Sequence, residues 1–111
     1  MAYDKELADR IRELLPDDPA VSEQAMFGGL AFLVGGNMAV AASGQGGLLV
    51  RVDPADSEQL MAATAAVPME MRGRPLRGWL RLSADQVRTR RQLSKWVGLA
   101  VGYAGSLPSK T

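Results

Sequence analysis

Eight cations crowd into residues 72–95: Arg72, Arg74, Arg77, Arg81, Arg88, Arg90, Arg91 and Lys95, against Asp85 alone. Guanidinium groups hold carboxylates or phosphates through charge-assisted, paired hydrogen bonds. A block this one-sided therefore reads as a surface for an acidic macromolecule. On a strand over 76–82, Arg77, Trp79 and Arg81 share one face, while Leu76, Leu80 and Leu82 take the other. Cations flanking an aromatic ring suit a phosphate backbone with a base stacked on the ring. On the helix that follows, Arg88, Arg91 and Lys95 recur at i, i+3 and i+7. The opposite side carries Leu93, Val97, Ala100 and Ala104, with Trp96 at its edge. If the two stripes are contiguous, they form a patch for nucleic acid or an acidic protein. The plainer reading is a solvated helix face, with Trp79 covered by the first helix or by a partner chain. Arg90 sits toward the apolar side, where an acid such as Asp56 or Glu70 could pair with it.

Other chemistry has less to work with. The chain contains neither histidine nor cysteine. Disulfides and zinc sites of the usual Cys/His kind are thereby excluded, and the commonest acid–base side chain near neutral pH is missing. The acidic residues Asp17-Asp18 suit a turn, and Asp53 before Pro54 suits a helix cap. A site built on these, on Asp56 and Glu58, or on Glu70 needs a metal held only by carboxylates, or a Lys or Tyr base. Neither G-x-S-x-G nor S-x-x-K occurs. We expect no catalytic residue, no metal and no cofactor, hence no enzyme. The six methionines, Met69 and Met71 among them, fit core gaps better than copper ligation.

The stretch "AMFGGLAFLVGGNM" (25–38) carries two glycine pairs. A phosphate cradle needs glycines between a strand and a helix N-terminus. Here Gly29 is followed by β-prone "LAFLV" and Gly36 by "NMAV", and no Rossmann or P-loop spacing occurs. Leu30, Phe32 and Val34 alternate with Ala31 and Leu33, so both faces are apolar, as in a central strand. Met26, Phe27, Gly28 and Gly29 then form a structural motif, the glycines permitting a bend or close approach of another backbone.

The remaining elements frame these features. Asp4 caps an amphipathic helix over 4–15 with Leu7, Ile11, Leu14 and Leu15 on one face. An extended region begins near Glu23, and 38–42 and 48–52 read as strands joined by glycine-rich turns. A short helix follows Asp53-Pro54, strands at 67–71 and 78–82 flank the turn "RGRP", and a capping box at Ser83–Gln86 starts a helix reaching about Ala104. In that helix Gly98, Gly102 and Gly105 share a face, which marks either a homodimer contact or a weak helix end. The order α-β-β-β-α-β-β-α predicts an α+β fold of two layers, a mostly antiparallel sheet of about five strands packed by helices.

With 111 residues, the chain reads as one domain over 1–111, its core at about 3–106 and a tail at 107–111. No apolar run approaches the roughly 20 residues of a membrane helix, and the charged start lacks a signal-peptide pattern. A cytoplasmic protein without membrane contact is expected. Net charge is +1, but unevenly spread: residues 1–50 hold three basic and seven acidic residues, and 51–111 hold ten and five.

"MFGGLAFLVGGNMAV" (26–40), "LLVRVDP" (48–54), "GRPLRGWLRL" (73–82) and "YAGSLPSK" (103–110) together resemble the TfoX/Sxy family N-terminal domain. The resemblance covers about Tyr3 to Lys110. It implies a two-layer α+β domain of bacterial competence regulators, whose best-known members are transcriptional co-regulators working with a cyclic-AMP receptor protein. The full-length regulators carry a second, helical domain, so this chain resembles a stand-alone member. The reading is a small non-enzymatic regulatory module that contacts another protein, such as a transcription factor, and forms a homodimer; the alternative is a module that binds nucleic acid directly through 72–95.

Overall fold

A computed structural model describes residues 3–26 and 28–109, with the backbone alone at Met71. Phe27 of the structural motif, and the last two residues of the expected tail, lie outside the described residues. The elements are α1 (Lys5–Leu14), β1 (Val21–Met26), β2 (Gly29–Val34), β3 (Asn37–Ala42), β4 (Leu48–Arg51), α2 (Ser57–Ala63), β5 (Val67–Met71), β6 (Arg74–Leu82), a 3-10 helix (Ala84–Val87) and α3 (Arg90–Ser106). The fold is α+β, and the six strands pair antiparallel in the order β1-β2-β3-β4-β6-β5. The strand beyond the five expected arises because the extended region after Glu23 folds back on itself. Gly28 adopts φ +77° between β1 and β2, a conformation that L-residues rarely take. At Gly29 a Cβ would collide with the Ala42 carbonyl oxygen and stand 3.0 Å from the Gly44 nitrogen. The second glycine thus lets neighbouring backbone approach.

All three helices pack on one face of the sheet. Leu7, Ala8 and Ile11 of α1 and Leu93, Trp96, Val97, Ala100 and Ala104 of α3 bury against Phe32, Val40, Leu48, Val50, Leu80 and Leu82. Leu60 and Met61 of α2 pack at the margin of this core. Each large side chain buried here contributes about 1.5–3 kcal/mol from apolar transfer. Trp96, expected at the edge of the helix, is fully in this core.

A second, smaller cluster lies on the other face: Ala31, Leu33, Met38, Ala41 and Leu49, with Met26, Met69 and Trp79 packed against it. No helical residue belongs to it. The sheet covers this face by curling. Met26 on one edge strand and Met69 on the other line the same cavity of about 40 Å³, whereas the edges of a flat six-stranded sheet stand about 24 Å apart. The register shift between Phe32 and Leu33, where β3 carries the extra residue Ala39, adds local bend.

Two helix starts differ from expectation. Asp53 does not cap α2: its Oδ1 accepts the Ala55 N–H at 2.9 Å in a preceding turn, and the helix begins at Ser57. The expected final helix is two elements. Ser83 and Gln86 form a capping box on the 3-10 helix, and Thr89 and Gln92 form another on α3. The second box re-initiates the chain in a new direction after Arg88. The tail is stitched to the body. Buried Asn37 donates through Nδ2 to the Pro108 carbonyl at 3.0 Å, and Ser109 Oγ donates to the Gly35 carbonyl at 3.3 Å. No helix among the described residues is long and apolar enough to cross a membrane.

Candidate functional site

Strand alternation decides which cations share a surface. In β4, Leu48 and Val50 enter the helix-covered core, so Leu49 and Arg51 face the other way. The register sets Arg51 opposite Trp79 and Leu49 opposite Arg81. Arg51, Trp79 and Arg81 are therefore neighbours on the face without helices. The Arg51 guanidinium lies 5.1 Å from the Trp79 ring centroid and 5.7 Å from that of Tyr103, which reaches it from α3. Such cation–π contacts contribute about 0.5–1 kcal/mol where partly solvated. Arg81 donates to Gln45 Oε1 on the β3–β4 turn. Beside Arg81 an open cleft of about 580 Å³ is lined by Gln45, Gly47, Ala65, Val67, Leu82 and Ser83.

The other expected members of the patch are dispersed. Arg77 sends its guanidinium to the Pro54 carbonyl at 3.3 Å, beside α2. It is separated from Trp79 by Gly78, whose φ is +85°. Arg72 and Arg74 sit at the two-residue turn between β5 and β6, both exposed. Arg72 itself adopts φ +56°, a strained conformation for a residue with a Cβ. Arg88, Arg91 and Lys95 belong to the helical layer, across the sheet from Trp79 and Arg81, and are exposed. Arg88 pairs with Asp85 at 3.1 Å. Arg90 approaches neither Asp56 nor Glu70; its nearest carboxylate is Glu13 of α1, at 4.0 Å. The strand and helix stripes are not contiguous.

Gly98 and Gly102 are exposed, and a Cβ at either meets nothing within 4 Å. They line a groove of about 330 Å³ between α3 and the start of α2, together with Asp53, Asp56, Leu60, Leu99 and Tyr103. Gly105 lies outside that groove, and a Cβ there would touch Val34 at 3.9 Å. Gly28 and Gly29 are followed by strand β2, with no helix N-terminus behind them. Among the described residues, no group of three or more acidic side chains is placed to hold a metal ion.

The α1–β1 side is organised differently. Arg12 is bidentate on Glu23, at 2.6 and 2.9 Å, and also reaches Asp9 at 2.6 Å. Its guanidinium lies 5.8 Å from the Phe32 ring centroid. The hydrogen bond from Arg12 holds the Glu23 carboxyl below its ordinary range, against the opposing effect of partial burial. The same bond raises the Arg12 pKa. Arg10 donates to the Val87 and Arg88 carbonyls at 2.8 and 3.0 Å, tying α1 to the 3-10 helix.

Sequence reasoning missed Arg51, Gln45 and Val67 as members of the Trp79–Arg81 surface. For Arg51 the signal was present, since it alternates with Leu49 opposite Leu48 and Val50. Gln45 and Val67 carry no local signal, because only strand pairing brings them to Arg81.

Comparison with known proteins supports the resemblance in the motifs. No curated protein matches the sequence closely enough to count as a relative. The family model for the TfoX N-terminal domain matches residues 13–104. That span includes every strand, α2 and most of α3, so the chain belongs to the TfoX N-terminal domain family.

Proposed function

We propose that this protein is a small, non-enzymatic regulatory module of the competence-regulator type that works by contacting another protein in the cytoplasm. Family membership over residues 13–104 carries this reading. The charge layout supports it. The cations of residues 72–95 are divided between two sides of the sheet, so they offer no single track along a nucleic-acid backbone. A pull-down from native cytoplasm, with and without nuclease, tests it. A partner retained after nuclease treatment is the expected result; loss of every partner on digestion overturns the reading.

Direct nucleic-acid binding is the second reading, favoured by the exposed Arg91 and Lys95 of α3. It requires purified protein to carry nucleic acid at low salt and to release it steeply as salt rises. A homodimer built on the open flank of Gly98 and Gly102 is tested by sedimentation of wild type and Gly102→Leu. A mass that falls only in the variant supports that contact, and equal masses remove it.

A further inference from the structure

Resting on the reading as a protein-contact module, we propose that the surface formed by Arg51, Trp79, Arg81 and Val67 binds an acidic segment of the partner protein that also carries apolar side chains. Arg51 and Arg81 take its carboxylates, and Val67 with the adjoining cleft takes its apolar groups.

Charge complementarity is the first argument. Arg51 and Arg81 are half-buried beside the second apolar cluster, and neither has a carboxylate partner among the described residues. Their neutral contacts, Trp79 and Tyr103 for Arg51 and Gln45 for Arg81, orient the guanidiniums without neutralising them. A planar fork held in place meets a carboxylate with little further loss of side-chain freedom. The alternation that places Arg51 and Arg81 on this face sends Glu23 of β1 to the opposite one, where it is already paired with Arg12.

The second argument is apolar. Val67 is 53% exposed, the most exposed large hydrophobic residue described, and the register sets it directly across from Arg81. The cleft of about 580 Å³ opens at that pair. A cation next to an uncovered aliphatic side chain matches a segment in which an acidic and an apolar residue stand two positions apart, since residues i and i+2 of an extended chain face the same way.

The same geometry disfavours nucleic acid. Trp79 packs into the cluster with Met69, and the Arg51 guanidinium already stands over its ring. A base could stack there only by displacing Arg51. Phosphates also gain nothing from Val67.

The test uses the intact chain and three fluorescein-labelled probes: a short peptide in which glutamate and valine take turns at every second position with serine between them, its lysine-for-glutamate counterpart, and an oligothymidine. Fluorescence anisotropy is read at low and moderate salt. Saturable binding of the acidic peptide alone is expected. It should weaken about tenfold in Arg81→Gln, a loss typical of one charge-assisted hydrogen-bonded pair, and measurably in Val67→Asp. Arg91→Gln, on the helical side, should bind like wild type. Circular dichroism melting confirms that each variant is folded. Equal binding by Arg81→Gln and wild type, or no binding of the acidic peptide, overturns this assignment and leaves the protein-contact reading to the pull-down. Preferential binding of oligothymidine through Arg81 overturns both.

Discussion

At the β1 edge of the sheet, Arg12 is clasped by Glu23 and Asp9 and lies over Phe32. Toward the β5–β6 edge, Arg51 of the adjoining β4 and Arg72, Arg74, Arg77 and Arg81 have no carboxylate partner among the described residues. The first edge uses its cation internally, to fasten α1 to β1. The second holds three of its cations with neutral groups: the Trp79 and Tyr103 rings for Arg51, the Gln45 side chain for Arg81 and the Pro54 carbonyl for Arg77. Exposed ion pairs contribute only about 0–1 kcal/mol each, so stability alone does not explain the contrast. It separates charge committed to the fold from charge without an internal counter-ion among the described residues. Arg72 sharpens the point, because it occupies a turn position where a residue without a Cβ is at ease.

The largest expected effect tests whether the β1–β2 hairpin belongs to the rigid part of the molecule. Gly29→Ala drives a Cβ into the Ala42 carbonyl and should destabilise by about 1–3 kcal/mol, the usual cost of overpacking. Urea denaturation measures it, and an unchanged midpoint would mean that the backbone approach at this edge is looser than described. Next comes Arg12→Ala, expected to cost about 1 kcal/mol from the lost pairs and the Phe32 contact after solvent screening. Its pH signature is more telling. Because Arg12 lowers the Glu23 pKa, the pair stabilises the fold above the unfolded glutamate value, about 4.3. That contribution is lost as pH falls through the lower folded value. Wild type should therefore lose stability toward acid more steeply than Arg12→Ala, and parallel profiles would place the pair outside the stability balance. The smallest effect is on the opposite edge. Arg72→Asn creates an Asn-Gly turn where both residues have positive φ, and should raise stability by about 0.5–1 kcal/mol. A partner-binding loss in the same variant would show that the strained arginine is kept for contact.

Much of the fold is legible in local patterns. The Asp4 cap is read from the residues and is found, with its carboxylate accepting the Glu6 and Leu7 N–H groups at 3.0 and 3.2 Å. The apolar alternation of 30–34 is likewise found, with Phe32 in one cluster and Ala31 and Leu33 in the other. The extra strand was hidden because Gly28-Gly29 is compatible with either a bend or a reversal, and only pairing of Val21–Met26 with β2 distinguishes them. The division of α3 from the 3-10 helix was hidden for a similar reason. One capping box explains a helix start, and Thr89 with Gln92 looks like ordinary helix interior until the chain is seen to turn.

By itself the sequence determined the family, the fold class, the lack of Cys and His chemistry and the two faces of each strand, because these depend on composition and on periods of 2 and 3.6 residues. It also determined that residues 72–95 are cationic. Only the tertiary structure decided which cations stand together: Arg51 joined Trp79 and Arg81, while Arg88, Arg91 and Lys95 went to the far side. Alternation assigns a residue to a side of its own element, but the neighbours across that side come from strand pairing and sheet curl. Those depend on contacts between residues distant in the chain.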